Sequence, residues 1–370
     1  MRIHFLLPGL HRVHRGAEAA FESVATEIAK LGLDDVTLVG SGTPRSDCPY
    51  RFQHSGLIVR ERFERFPKFP PFRSEYIDEE ATWVANYMLR YRPSAADITV
   101  TCSYPFVNWM LTRWPPFQHK PAHIFVTQNG DWPAYSNQLE YRFFRCDGLV
   151  CTNPLYFERN RAKWPSLLVP NGIDSQRFCP GPRARARFGL PEQGVIVLMV
   201  SALVVSKRVL EGMSAVARIP DAMLVVAGDG PLRDQFDALG HELMPGRFRR
   251  LTLPADQMAD LYRSADIFLH PALFESFGNV YVEAMAVGVP VVAHDYEVTR
   301  WIFGNHPNLV DATDEAALVA ALVRAIDGGH ADAAARVAVA SDRFAWSNIA
   351  QQYREFFVEV DQRHRGAARK

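Results

Sequence analysis

Apolar runs of strand length alternate along the chain with amphipathic stretches of helical length. That alternation predicts βαβ units and parallel sheets, an α/β fold. In the first half, strands are expected at residues 3–7, 36–40, 98–102, 123–127, 148–152 and 167–170, with helices at 18–31, 79–91 and 154–164. The pattern then restarts. Strands are expected at 195–201, 223–227, 251–253, 267–270 and 289–293, helices at 207–217 and 279–287, and another helix after Pro231. Gly288 and Pro290 stop the 279–287 helix. Residues 346–362 read as one last helix, and the basic tail 363–370 as frayed.

Two such series predict two doubly wound domains. Pro180, Gly181, Pro182 and the basic, alanine-rich stretch 183–187 separate them, which puts the domains at 1–178 and 179–345. Two domains joined by a hinge leave a central cleft, and ligands collect at the carboxyl ends of the strands. Functional residues are therefore sought just after strands.

The length, 370 residues, suits two domains. Lys plus Arg (41) balances Asp plus Glu (41), so net charge offers no argument for a nucleic acid partner. Five scattered cysteines form no C-x-x-C pair and no zinc spacing, which suggests reduced thiols in a cytoplasmic protein. The first apolar run is short and ends at Pro8 and Gly9, a poor signal peptide and a good first strand. The longest apolar run, 195–205, falls short of the ~20 residues that span a bilayer. The chain is expected to be soluble, or at most peripheral to a membrane.

The richest segment runs from His270 to Val292. A strand ends at His270, the following loop holds Glu275, Phe277 and Gly278, and a helix opens at Asn279 and Val280. N–H groups and the dipole at a helix start favour an anion, and a glycine lets a ligand approach the backbone. Glu283 follows on the next turn. With one carboxylate before a phosphate site and one after it, each can accept two vicinal hydroxyls, one pair from a sugar and one from a ribose.

This segment resembles the family-4 retaining glycosyltransferases, whose C-terminal domain carries E-x7-E followed by A-M-A-x-G-x-P-V-V. Glu275, Glu283 and residues 284–292 match that pattern. The resemblance implies a GT-B fold, with two Rossmann-like domains facing the cleft. It implies transfer of a hexosyl group from a UDP- or GDP-sugar, with retention, to a glycan, lipid-linked or small-molecule acceptor. By the same resemblance Glu275 contacts the donor sugar and Glu283 holds the ribose. No D-x-D metal motif lies in a suitable loop, and no metal or other cofactor is expected.

The loop from Ser201 to Arg208 follows the first strand of the second domain. Lys207 there can neutralise a departing diphosphate, the largest electrostatic need of glycosyl transfer without a metal. The family has an arginine five residues before this lysine and a glycine after it. Ala202 and Arg208 stand there instead, and Arg208 is expected to replace the missing cation. Gly228 to Pro231 match the family's G-D-G-P element, Gly230 included, which reads equally as a turn and as a ligand contact. The stretch from Leu253 to Met258 falls where relatives contact the nucleobase.

In the first domain Gly16 keeps one glycine of the family's G-G-x-E loop, in which His11 and His14 also lie. Gln128 stands near the place where many relatives have a histidine close to the donor sugar. Gln128, Asn129 and Asp131 could hydrogen-bond sugar hydroxyls. Asp131, the ionisable one, reads either as an acceptor base or as an Asx turn with a helix cap. Glu275, Lys207, Gln128 and Asp131 are thus the residues expected to act in the chemistry. Asn171 to Asp174 repeat the family's N-G-[IV]-D turn, and Trp346 opens a helix like the one that packs back on the family's first domain.

Phe63, Phe66, Phe69 and Phe72 recur every three residues among Pro67, Pro70 and Pro71. That period fits an extended polyproline strand with one aromatic edge. Arg60, Arg62, Arg65, Lys68 and Arg73 outnumber Glu61 and Glu64. The segment reads as a loop packed on the first domain, an acceptor loop, or a foot on an anionic membrane, which would place the protein at the inner membrane face. A same-fold epimerase or phosphorylase, and a non-catalytic nucleotide-sugar protein, stay open as alternatives. A dinucleotide-dependent dehydrogenase does not fit, because the loop after the first strand lacks G-x-G-x-x-G.

Overall fold

The computed structural model describes residues 1–13 and 15–368. His14 and the last two residues of the basic tail lie outside the described residues. The chain forms two compact units, Met1–Asn171 with Trp346–Lys370, and Gly172–Ala345.

The first unit begins β1 (Arg2–Leu6), α1 (Gly16–Lys30), β2 (Asp35–Gly40), β3 (Arg51–His54) and α2 (Glu75–Met88). It continues β4 (Ile98–Thr101), α3 (Phe106–Arg113), β5 (Ala122–Val126), α4 (Trp132–Tyr135), β6 (Gly148–Cys151), α5 (Pro154–Asn160) and β7 (Ser166–Leu168). The seven strands form one parallel sheet in the order β3-β2-β1-β4-β5-β6-β7. Strands β4, β5 and β6 are buried at every position, as a parallel sheet covered on both faces requires.

The second unit begins β8 (Val195–Val200), α6 (Val209–Ala217), β9 (Ala222–Ala227), α7 (Arg233–Leu243), β10 (Phe248–Leu251) and α8 (Met258–Arg263). Then come β11 (Ile267–His270), α9 (Asn279–Ala286), β12 (Val291–His294), α10 (Glu297–Phe303), β13 (Leu309–Val310), α11 (Glu315–Gly328) and α12 (Ala333–Phe344). Its sheet is also parallel, ordered β10-β9-β8-β11-β12-β13. Met213, Leu224, Phe236 and Leu269 sit in its core.

The last helix, α13 (Trp346–Ala368), belongs to the first unit. It buries Ile349, Tyr353, Phe356, Phe357 and Val360 against Ile3, Phe5, Val24 and Ile28 of β1 and α1, and this helical spacing makes one apolar stripe. On a second core of the same unit, Leu6 and Val39 pack with Trp83, Val84 and Leu111 of α2 and α3. The tail expected to fray is helical through Ala368. There Arg363 and Arg365 each pair with an acid four residues earlier, Glu359 and Asp361.

Polar groups complete the framework. No side chain at the Pro105 N-cap caps α3. Instead the buried Glu80 of α2 accepts the Val107 N–H at 2.9 Å. Burial pushes the Glu80 carboxyl up to about 8, against the pull of the N–H groups of Val107, Phe106 and Tyr104. In the second unit the buried Arg185 guanidinium binds Asp266 (2.6 Å) and the carbonyls of Ser264, Glu192 and Gly194. Arg183 shares Asp266. The basic stretch at 183–187 is therefore built into the second unit, and the units divide between Asn171 and Gly172.

The phenylalanine segment is not an extended strand. Residues Arg60–Phe63 form a 3-10 turn, and Phe69 pairs antiparallel with Phe72 across a reversal. Phe72 packs on Phe106 at 5.1 Å, whereas Phe66 and Phe69 stay more than half exposed. Proline spacing set the local extension, but the reversal splits the aromatic edge. Among the described residues no helix is long and apolar enough to cross a membrane.

Candidate functional site

The strand order of the second sheet reverses between β8 and β11, which pair directly. Their following loops lie side by side at the carboxyl ends, the place where open α/β sheets bind ligands. A cavity of about 520 Å³ opens there, lined by Val205, Lys207, Arg208, Leu273, Phe274 and Glu275 among others.

Glu275 is its central acid. Its Oε1 accepts from the Lys207 ammonium at 2.5 Å and from His270 Nε2 at 2.7 Å. The Glu275 N–H donates to the Tyr296 hydroxyl (3.0 Å), which donates back to the Glu275 carbonyl (3.1 Å). Burial alone would push the Glu275 carboxyl up. The His270 hydrogen bond and the Lys207 charge outweigh it and hold the group below the ordinary glutamate value. Lys207 was expected to open a helix. It ends a 3-10 turn, Val205–Lys207, and α6 starts two residues later.

Gly278 forms the N-cap of α9 at φ 84°, a left-handed conformation suited to glycine, and no side chain caps the helix there. The backbone of Asn279 and Val280 begins this helix beside the cavity-lining Glu275 and Ser276. Phe277 does not line the cavity. Its buried ring packs on Trp301 and Phe344. Glu283, half-buried on α9, accepts from the Tyr262 hydroxyl at 2.7 Å. Burial raises its carboxyl, against the pull of Tyr262 and the Arg177 guanidinium.

The turn after β9 clamps the loop that carries Lys207. A Cβ at Gly228 would stand 1.8 Å from the Ser201 carbonyl oxygen, and one at Gly230 would stand 2.6 Å from that of Leu203. Leu203 donates to the Asp229 carbonyl and accepts from Leu232, both at 3.0 Å. These glycines thus serve close backbone approach. Arg208 sits at φ 53°, where the glycine implied by the resemblance would be unstrained. Its guanidinium reaches the Ala312 carbonyl (3.3 Å) and Glu211 (3.1 Å) while lining the cavity. Leu253 was expected within a strand, but β10 ends at Leu251 and leaves it in the loop beyond.

In the first unit Gln128 and Asn171 exchange side-chain amide bonds of 2.7 and 3.0 Å. Asp131 is buried, with Oδ2 accepting from Asn160 (2.8 Å) and Oδ1 from Arg159 (3.3 Å). Burial raises its carboxyl, against the pull of Asn160 and the Arg159 charge. Asp131 forms no side-chain cap on α4, and its carboxylate points into partners of its own unit. Gly16 is the first residue of α1. The buried His11 bonds Thr43 and Tyr50 and stacks on Phe52.

Three side chains of the site, His270, Tyr296 and Tyr262, escaped the sequence reading. Tyr296 and Tyr262 come from distant segments, and no local spacing signals them. His270 carried one faint signal, a polar residue closing an apolar strand.

Residues 182–339 match the model of the family described as "Glycosyl transferases group 1". The chain is 32% identical over 206 residues to a phosphatidyl-myo-inositol mannosyltransferase of Mycolicibacterium smegmatis, covering 52% of this chain and 51% of that one. It is 34% identical over 201 residues to a D-inositol 3-phosphate glycosyltransferase of Mycobacterium leprae, covering 48% and 45%. The matches span about half the length of these relatives. Among solved structures, sucrose-phosphate synthase of Thermosynechococcus elongatus superposes with a TM-score of 0.77 at 19% identity, over 97% of this chain and 98% of that one. HepE of Anabaena, in complex with UDP-glucose, gives 0.72 at 17% identity, over 97% and 100%.

Proposed function

We propose, on the premise that residues 182–339 are a group 1 glycosyl transferase domain in a chain of the GT-B fold, that the protein moves a hexosyl group from a nucleotide sugar to an acceptor hydroxyl with retention of configuration. The observation that carries this reading is the meeting of Lys207, Glu275 and the uncapped start of α9 at one cavity. Lys207 and Glu275 neutralise each other while no donor is bound. A diphosphate offers the ammonium a stronger anion, and the α9 dipole adds to its binding. Glu275 is then a carboxylate free to accept the hydroxyls of the donor sugar. Arg208 supplies the second cation, Glu283 takes the ribose, and the loop at Leu253 meets the base. Ser201, Gly228 and Gly230 shape the wall, with the backbone of Gly278, Asn279 and Val280 against the phosphates. As the charge on the leaving diphosphate grows, these fixed groups stabilise it without reorganising.

On the first unit we assign Gly16 as a donor contact and Gln128 as a hydroxyl contact. Asp131 is buried and bonded to Asn160 and Arg159 of its own unit, and this reading gives it no part in the chemistry. A UDP- or GDP-sugar and a lipid-linked acceptor are the substrates we favour. HepE is seen with UDP-glucose, and the Mycolicibacterium relative is by name a phosphatidylinositol mannosyltransferase. The exposed Phe66 and Phe69, beside the exposed Arg62 and Arg65, suit peripheral contact with an anionic inner membrane face.

The test is thermal unfolding with UDP, GDP, UDP-glucose and GDP-mannose, each with and without EDTA. We expect one base to stabilise the protein regardless of EDTA, and Lys207→Met to lose the effect. Silence across the panel would sink the donor site. Release of UDP or GDP by the wild type, abolished in Glu275→Gln, would separate an enzyme from a binding protein. Sedimentation with phosphatidylglycerol vesicles but not phosphatidylcholine vesicles, lost in a Phe66→Ser/Phe69→Ser double variant, tests the membrane contact.

A further inference from the structure

Nothing in the donor chemistry above requires His270, yet it is a buried polar group at the site. The side chain is 2% exposed. Its ring lies parallel to Phe268 and edge-on to Tyr281, 5.2 Å away, in a setting that an apolar residue would fill without cost. One nitrogen, Nε2, meets Glu275 Oε1 at 2.7 Å, and the other, Nδ1, is buried without a partner. A carboxylate can only accept, so Nε2 carries the proton. A second proton on Nδ1 would be a buried, unsatisfied donor, whereas a bare lone pair there costs less. The imidazole thus donates one hydrogen bond to the acid through Nε2.

We propose that His270 is the positioning residue for Glu275, holding its carboxylate in place once Lys207 has turned to the diphosphate. This rests on the reading of Glu275 as the sugar contact. The two donors on Oε1 differ in kind. Lys207 sits on a flexible stem and is a quarter exposed, so it can change partners. His270 is locked in the core at the end of β11 and cannot follow. After Lys207 leaves, Oε1 stays tethered and Oε2 is held toward the sugar.

The test compares His270→Phe, which keeps a ring in the stack and removes the donor, with His270→Gln, whose amide restores one. UDP, UDP-glucose, GDP and GDP-mannose are the probes, with nucleotide affinity, KM and kcat for nucleotide release, and melting temperature as readouts. We expect His270→Phe to hold nucleotide affinity within about twofold while kcat/KM for the sugar nucleotide falls roughly 10- to 100-fold, the range for losing one hydrogen bond to a charged group. His270→Gln should recover most of that loss. Wild-type kcat/KM in His270→Phe overturns the proposal. So does a parallel loss of nucleotide affinity, melting temperature and kcat/KM in both variants, which is the mark of a packing role. In a Glu275→Gln background, where turnover is lost, His270→Phe should cost no further affinity for the sugar nucleotide, and a further loss of that affinity also overturns it. If Glu275→Gln itself turns over normally, the assignment of Glu275 fails first, and the two failures are told apart.

Discussion

Replacing Gly228 by alanine sets a Cβ 1.8 Å from the Ser201 carbonyl oxygen, where real contacts essentially never come below 3.0 Å. Both sides of the clash are backbone, so no rotamer relieves it and the Ser201 carbonyl must move by more than an ångström. Overpacking of this kind costs about 1–3 kcal/mol. The lower entropy of the unfolded alanine chain returns ~0.4–1 kcal/mol, because Gly228 does not sit at positive φ. The net loss is roughly 1–2 kcal/mol, or ~2–8 °C for a unit of this size. Ser201 opens the loop that ends in Lys207, so the displacement should also weaken nucleoside diphosphate binding by about tenfold or more. Differential scanning fluorimetry with a UDP and GDP titration reads both effects. Gly328→Ala is the control. It closes α11 with nothing within 4 Å of its would-be Cβ, and should be neutral or stabilising by up to ~1 kcal/mol. A Gly228→Ala protein that melts and binds like the wild type would refute the clamp.

Other expectations follow from the same geometry. The Glu80 carboxyl sits at about 8 when folded, above the unfolded value, so its contribution is present at low pH and lost as pH rises through 8. Glu80→Gln can still accept the Val107 N–H and should gain on the wild type by ~1.4 kcal/mol per pH unit from pH 6 to 8; parallel urea midpoints across that range would contradict this. Tyr262→Phe removes the donor that holds Glu283 down, so its carboxyl rises further, and the loss of nucleotide affinity should deepen as pH falls. An identical pH profile in variant and wild type would count against Glu283 as the ribose contact. Arg208→Ala should loosen nucleoside diphosphate several-fold at low salt, and unchanged affinity would remove Arg208 as the second cation.

The strands were legible because parallel sheets buried on both faces leave uninterrupted apolar runs, such as Val195–Val200. Two were not. Arg51–His54 is a polar edge strand with no inner face to mark it, and Leu309–Val310 is only two residues long. Lys207 and Glu275 could be read because each follows an apolar strand closely, where α/β sheets put their chemistry. His270 could not, since only the fold bends the loop so that residue 275 returns to the strand end. The burial of Phe277 and Asp131 was not legible for one reason. Both stand in polar, turn-rich loops, and sequence does not tell which way a side chain leaves the backbone. Gly228 and Gly230 allowed two readings until the distance to the Ser201–Leu203 backbone chose between them.

The placement of α13 has a consequence for biosynthesis. The chain leaves the ribosome amino end first, yet the apolar face formed by Ile3 and Phe5 of β1 and Val24 of α1 is covered by Tyr353, Phe356 and Phe357. Residues 172–345 lie between and form a contiguous unit able to close its own core. At ~5–20 residues per second, the older unit waits with an open apolar face for roughly ten to thirty seconds while the younger one is made and finished. A chain truncated ahead of Trp346 never leaves that state, and would be a substrate for chaperones and proteases although every residue of the second unit is present.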